Sequence, residues 1–468
     1  LICVEALSVL AAHCRAFIRQ GANVSGSRQP HYFHMYVVDN GRTLASEKLE
    51  SPGISIIPNR NTGGSGGFAK GMAAALHGTP SASHVILMDD DVSVQPESIY
   101  RTYSLLRLLK PEYQDAFISG AMMSARNLDV RIEDLGAIDQ RGFFKPLRPS
   151  ARMNIVRNLV LSETFMPPEP DSTENIYTGW WYCCVPSTAI MRYGFPLPFF
   201  ARFDDVEYVL RCHPRFITMN GICIWHEDFA GRYNAAIERY QVTRNTLIGQ
   251  MTTGVAPNID FITEIAHNFR LEIEKFNYQD AALVLEGFED ALRGPALFLS
   301  QDFSEISYLA ACKSREKLVP FAQLRGTVLE ELGIDIEDYD ESSLNVCPPA
   351  TSRIQRIAWQ NGMERVYHSS NNGAINVHLK SLDKPYAIIG ADRWGDYPRC
   401  TYGVDVIVAL DLRRQSGIMR KRDNERAKAL IHRFERDVSQ YRNQHDKLAQ
   451  AYRNNAPALT SEAFWTRG

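Results

Sequence analysis

The sequence predicts an α/β protein built on an open sheet with crossover connections, followed by a largely helical region that contains a few strands. Three observations carry this. Short apolar strand-like runs alternate with helical patterns up to about residue 226, apolar positions beyond it recur at helical spacing, and three polar or glycine-rich segments fall where strands would end.

In order, the pattern gives a helix over Leu1 to Arg19, strands over His34 to Val38 and Ile54 to Pro58, and a helix over Ala69 to His77. A strand over His84 to Met88, a helix over Glu97 to Leu109 and a strand over Ala116 to Gly120 follow. Arg148 to Asn175, rich in proline and polar residues, reads as a long surface loop. Apolar spacing through Tyr233, Ile237, Tyr240 and Leu247, and again from Phe261 to Leu292, gives helices. Within Asn371 to Leu412 strand-like runs return at Tyr386 to Ile389 and Val404 to Ala409. Past Gly417, the positions Ala427, Leu430, Ile431, Phe434, Val438, Tyr441, Leu448 and Tyr452 mark one long, charged, amphipathic helix. The division this suggests is residues 1–250 against 251–468.

Bulk properties narrow the function. A chain of 468 residues with 45% hydrophobic and 22% charged residues and a net charge of -3 is an ordinary globular protein, and the charge balance argues against broad nucleic-acid binding. Its 9 cysteines include no C-x-x-C pair, and Cys183 and Cys184 are adjacent, so they read as free thiols in a reducing cytoplasm. The apolar opening Leu1 to Cys14 is broken by Glu5, lacks a basic leader and is too short to span a bilayer, so neither secretion nor membrane insertion is indicated.

The chemistry concentrates at predicted strand ends, where ligands of open α/β sheets bind. Asp89-Asp90-Asp91 follows the apolar run Val85 to Met88, and core packing gives no reason for three carboxylates there. Asp89 and Asp91 can share one cation while substrate phosphates complete its oxygen shell; the rival reading is a helix cap and solvated turn. The run Asn59 to Gly67 contains Gly63, Gly64, Gly66 and Gly67 ahead of a helix, which lets backbone N–H groups approach an anion; a flexible turn is the rival. A second acidic cluster, Phe203-Asp204-Asp205-Val206-Glu207-Tyr208, follows Pro196-Leu197-Pro198. It suits a base that takes a proton from an acceptor hydroxyl, against the bland alternative of an acidic helix start. His226, beside Trp225, is a competent ligand for Mn²⁺-like ions, although a lone histidine is more often structural. Trp180 and Trp181 offer faces for sugar rings, with core packing as the rival.

Taken in this order, the segments resemble family 2 glycosyltransferases, and among those the bacterial galactofuranosyltransferases that build galactan. The marks are Val38-Asp39-Asn40-Gly41, Asn61 to Phe68 with Gly71, Met88 to Asp91, Trp180-Trp181, Phe203 to Tyr208, Trp225-His226 and Tyr240-x-x-x-Arg244-Asn245, all within about residues 1–250. The resemblance implies a GT-A-like nucleotide-sugar-binding sheet and a divalent ion, Mn²⁺ or Mg²⁺, held by Asp89, Asp91 and His226. It places Asp39, Asn61, Gly64 and Asp90 on the donor side, Asp205 as the base, and Asp204, Trp180 and Trp181 on the acceptor side. Two departures stand out: the opening strand with its Thr-x-x-Arg-like turn and the amino-terminal β domain of those enzymes are not visible.

The expected activity is therefore inverting transfer of galactofuranose from UDP-galactofuranose to a growing, lipid-linked glycan at the inner membrane face. Arg413, Arg414, Arg420, Lys421, Arg422, Arg426 and Lys428 could meet anionic lipid headgroups, but Asp423 and Glu425 interrupt the run and favour a solvated helix face. Rival functions are the same mechanism with dTDP-rhamnose, a non-catalytic nucleotide- or glycan-binding scaffold, and a nicotinamide oxidoreductase. The last lacks the G-x-G-x-x-G fingerprint.

Overall fold

The computed structural model describes residues 33–50, 53–170, 175–227, 233–300, 302–345, 386–391, 401 and 404–466. The helix expected over Leu1 to Arg19 and much of Asn371 to Leu412 lie outside them. The expected open α/β architecture is observed. Strands β1 (Met35–Asp39) and β2 (Ile54–Pro58) pair in parallel, and helix α1 (Gly63–His77) crosses from β2 to β3 (His84–Leu87). Next come β4 (Ser93–Val94), α2 (Pro96–Leu108), β5 (Phe117–Ser124) and β6 (Val130–Glu133). A small sheet joins β7 (Gly136–Ile138), β8 (Phe144–Pro146) and β10 (Asn175–Tyr177), while β9 (Ala151–Arg152) pairs with β6. The central sheet is completed by β11 (Cys183–Pro186) and the long β12 (Phe216–His226), in the order β3-β11-β5-β12-β4.

Two expectations need correction. Helix α1 begins at Gly63 rather than Ala69, because Asn61 Oδ1 accepts from Gly63 N at 3.3 Å and Gly64 N donates to Phe200 O at 2.8 Å. Tertiary contacts thus hold glycines in a helix that propensity alone would leave as loop. Arg148 to Asn175 is not one loop: it carries β9 and helix α3 (Val156–Glu163), whose end is fixed by Asn220 Nδ2 on Leu159 O and Asn220 N on Glu163 Oε2.

Helix α4 (Ser187–Tyr193) and helix α5 (Asp204–Cys212), whose first turn holds the second acidic cluster, precede β12. A π-helical turn (Ala236–Gln241) runs into α6 (Val242–Thr253), followed by α7 (Phe261–Glu274), α8 (Tyr278–Leu292) and α9 (Asp302–Ser314). A four-stranded sheet formed by β13 (Val319–Pro320), β14 (Tyr386–Gly390), β15 (Val406–Asp411) and β16 (Ser416–Lys421) packs against α10 (Phe321–Leu332). The long amphipathic helix is α11 (Asn424–Leu459), fixed to α8 by Arg433 on Glu289 and by Tyr452 OH on Ala291 O. Short helix α12 (Glu462–Thr466) turns back onto α1. One apolar core runs through both parts of the chain, from Ala69, Phe117 and Trp180 to Phe288, Tyr452 and Trp465.

Cys183, Cys184, Cys212, Cys223 and Cys312 are free thiols. Among the described residues no helix is long and apolar enough to cross a membrane. Members of the basic run are engaged internally: Arg414 with Asp411, Arg420 with Glu316, Lys421 with Glu331 and Lys428 with Glu425.

Glu264 on α7 is buried, with Asn268 donating to Oε1 and no partner for Oε2 among the described residues. Burial raises its carboxyl from 4.5 to about 7, against the opposing pull of Asn268 and Arg239. The folded chain therefore keeps a proton here that the unfolded chain has released, and this group's stabilising contribution is lost as pH rises across that window. Glu264→Gln is expected to stabilise by about 1 to 3 kcal/mol at pH 8 and to change little at pH 4.5, as read by denaturant titration at the two pH values.

Candidate active site

Strand order brings the acidic segments together. β11 is antiparallel to both β3 and β5, and β12 is parallel to β5, so β3 and β12 run the same way and end at the same edge. Asp89 to Asp91 leave the end of β3, and His226 closes β12. Just past Asp91 the chain forms β4, which pairs with the outer side of β12 in the register Ser93 to Trp225. That register sets His226 Nε2 3.2 Å from Asp91 Oδ1. Its Nδ1 lies 2.5 Å from Glu227 O, a pairing that puts a proton on Nδ1 and leaves Nε2 directed at Asp91.

Asp89 is the charge-crowded member. Burial pushes its carboxyl up to about 7, the negative charges of Asp205, Asp91 and Asp90 add to the effect, and His226 opposes it. The three side chains expected at a metal are thus within electrostatic reach of one another, and a carboxylate–imidazole set suits a Mn²⁺-like ion. Among the described residues no group of three His, Cys, Asp or Glu side chains is drawn close enough together to hold a metal ion by itself. Further ligands would come from substrate oxygens.

Asp204 and Asp205 open α5 behind a turn in which Arg202 (φ 64) and Phe203 (φ 66) are both left-handed. Their environments differ. Burial and then the charge of Asp205 raise Asp204 well above the carboxylate range. Burial raises Asp205 too, but Val206 N donates to its Oδ1 at 2.7 Å, and the Arg202 guanidinium and the Trp180 main-chain N–H also favour its charged form. The proton of the pair belongs on Asp204 and the charge on Asp205. Glu207 is structural, bound by Arg211 and Thr253.

The tryptophans lie elsewhere than the sugar-stacking expectation has them. Trp180 is 2% exposed, edge-on to Phe68 and Tyr208, and Trp181 is 7% exposed with Nε1 on Gly120 O. The rings pack in the core because each side of this segment faces a different apolar cluster. Of the residues expected on the donor side, buried Asp39 holds a turn by accepting from Gly41 N at 3.1 Å and Leu44 N at 2.8 Å, and Asn61 Oδ1 accepts from Gly63 N where α1 begins. Gly64 N is committed to Phe200 O, while Asp90 is exposed. A side chain at Gly64 would begin 2.7 Å from Asp204 Oδ2.

Two residues escaped the sequence reading. Glu133, at the end of β6, has a buried Oε1 with no hydrogen-bond partner among the described residues, and burial followed by the charge of Asp205 raises it to about 7. Arg202 pairs with Glu238 at 2.6 Å. Glu133 follows Val130-Arg131-Ile132, an alternation that lacks the apolar-run signal Val85 to Met88 gives Asp89.

Gly63 is left-handed (φ +72), and a Cβ there would lie 2.0 Å from Phe200 O. Gly63→Ala is therefore expected to cost about 2 kcal/mol or more, read as a lowered Tm, because backbone rather than a movable side chain stands in the way.

No family model matches the chain. It is 25% identical over 438 residues to the galactofuranosyltransferase GlfT2 of Mycolicibacterium smegmatis, covering 88% of this chain and 62% of that protein. It is 26% identical over 262 residues to GlfT2 of Mycobacterium tuberculosis, covering 52% and 39%. The chain thus spans less than two thirds of the length of either relative. Among solved structures, the mannosyltransferase PcManGT of Pyrobaculum calidifontis in complex with GDP-Man and Mn²⁺ is matched at 10% identity and a TM-score of 0.28, over 75% of this chain and 77% of that one. That likeness is too weak to bear on the site. Through the two GlfT2 matches, the first spanning most of its length, the chain is a distant relative of the galactofuranosyltransferases.

Proposed function

We propose that this chain is an inverting, metal-dependent glycosyltransferase that moves galactofuranose from UDP-galactofuranose to a glycan acceptor. The carrying observation is the division of labour between two acidic groups: Asp89, Asp91 and His226 at the sheet edge, and Asp205 within electrostatic reach of Asp89 and supplied with its own N–H donors. The similarity to two galactofuranosyltransferases supports the choice of sugar.

Asp89, Asp91 and His226 would hold a divalent cation, Mn²⁺ or Mg²⁺, which neutralises charge on the departing diphosphate. Asp205 takes the proton of the acceptor hydroxyl as that oxygen attacks the anomeric carbon. The carbon–oxygen bond to the diphosphate breaks on the opposite face, its electron pair leaves with UDP, and the configuration inverts. Asp204, kept protonated, can donate to an acceptor oxygen. Trp180 serves through its main-chain N–H on Asp205, while Asp39 and Asn61 shape the donor-side turn and the start of α1.

Calorimetry is expected to show UDP affinity falling at least about tenfold in EDTA and in Asp91→Ala, since the oxygen shell needs both partners. Equal affinity with and without metal overturns that role. Asp205→Asn keeps size and much hydrogen bonding but removes the basic oxygen, so turnover should fall by about 10² to 10⁴ with UDP affinity nearly unchanged. Near-wild-type turnover, or inactivity of Asp204→Asn alone, moves the base elsewhere. A panel of nucleotide sugars separates the remaining readings: product from dTDP-rhamnose alone reassigns the donor, and binding without product makes the chain a scaffold.

A further inference from the structure

Tyr240, Arg244 and Asn245 stand out in the sequence yet touch none of the groups given a chemical role above. They lie on the π-turn and α6, directly behind the turn that carries the acidic pair. We propose that Asn245 is a positioning residue: it clamps the backbone of Ala201 and Arg202 in the left-handed turn that aims the Asp205 carboxylate. The inference rests on the reading of Asp205 as base.

The turn needs a clamp. Two consecutive non-glycine residues, Arg202 and Phe203, hold positive φ, a conformation that persists only where surroundings impose it. The Nδ2 of Asn245 donates to Ala201 O at 2.9 Å and to Arg202 O at 2.8 Å, so one amide group fixes two successive carbonyls. Its orientation is not arbitrary, because Oδ1 accepts from Arg244 Nε at 3.0 Å and a guanidinium can only donate. Arg244 itself is fully buried and immobilised by Tyr240 OH, Ser307 Oγ and Gln241 Oε1 at 3.1, 2.8 and 2.7 Å.

The same helix grips the next residue. One turn beyond Asn245, a Cβ on Gly249 would lie 2.6 Å from Phe203 Cε1, so the missing side chain seats the Phe203 ring. Phe203 O then accepts from Glu207 N at 3.0 Å and starts α5 with Asp205 in its first turn. Asn245 and Gly249 thus set the direction from which Asp205 enters the site, and Arg202, whose charge faces Asp205, moves with the same peptide. Loss of the clamp should misplace the base and leave the donor groups on β3 and β12 where they are.

The test is a double-mutant cycle on folded protein, with stoichiometry of UDP binding counting competent sites. Asn245→Ala is expected to lower kcat about 10- to 100-fold, the effect of displacing a reacting group by about an ångström, with UDP affinity and donor KM within about twofold. Added to Asp205→Asn, it should cost nothing further, because the base it aims is already gone. A merely structural role would give the same loss in both backgrounds, and additive losses overturn the proposal. Gly249→Ala presses on Phe203 from the same helix face and should reproduce the kcat loss and its non-additivity, which keeps the test decisive if Asn245→Ala is poorly folded. Wild-type kcat in both variants beside an inactive Asp205→Asn overturns the positioning role alone. An active Asp205→Asn overturns the base reading itself and the proposal with it.

Discussion

Carboxyl groups do not gather in a half-buried place unless something offsets their repulsion, and the arrangement of this site follows from that constraint. Asp89, Asp91, Asp204, Asp205 and Glu133 interact through space although they are scattered over more than a hundred residues of chain. The protein answers in different ways at different members. Asp204 is held well above the carboxylate range, burial raises Glu133 to about 7, an imidazole lies against Asp91, and main-chain N–H groups with the Arg202 guanidinium face Asp205. What remains at the sheet edge is a concentration of negative charge near Asp89 that a divalent cation would relieve, next to one carboxylate kept in its basic form.

Holding those groups close creates a packing problem, and the glycines solve it. The segment Pro198 to Asp205 lies between α1 and α6 and leaves no room for a side chain at Gly63, Gly64 or Gly249. Gly63 and Gly64 face Phe200 and Asp204 from one side, and Gly249 faces Phe203 from the other, while Phe200 stacks on Tyr308 with ring centroids 4.4 Å apart. The glycine-rich run therefore owes its composition at least as much to the acid-bearing turn as to any phosphate. The start of α1 and the turn that carries Asp205 are one mechanical unit, joined by the Gly64 to Phe200 hydrogen bond.

Some of this was legible in the sequence for a definite reason. A buried strand followed at once by charges, as at Met88-Asp89, marks a sheet edge whatever the tertiary structure, and β2 matched from Ile54 to Pro58 because its apolar run is bounded on both sides by turn residues. Other features depend on partners that sequence does not reveal. Whether an indole meets solvent or core is decided by the register of β11 between β3 and β5, which buries Trp180 and Trp181 together. Asp204 and Asp205 could not be ranked locally, since one of the groups that separates them is the N–H of Trp180. Glu133 was overlooked because an acid after Arg131-Ile132 looks like ordinary alternation on a solvated strand. The helix Val156–Glu163 was hidden by flanking prolines and polar residues, and half of its own residues, Val156, Asn158, Val160 and Ser162, are weak helix formers.

The motifs that carry the family resemblance end near residue 250, yet the supports of the site do not. Pro196 O accepts from Trp465 Nε1, Phe195 N donates to Thr460 O, and Pro198 O accepts from Ser304 Oγ at 2.6 Å, so the segment leading into the acidic turn is anchored by three elements of the carboxyl-terminal part. Ser307, on the same helix as Ser304, also holds Arg244 and through it Asn245. The turn at Phe200 to Phe203 is thus held by elements of the helical part, whereas β3 and β12 are held by pairing within the central sheet. Asp89, Asp91 and His226 are set by sheet register and Asp205 by helix packing, so the two acidic groups answer to different parts of the fold and can be perturbed separately.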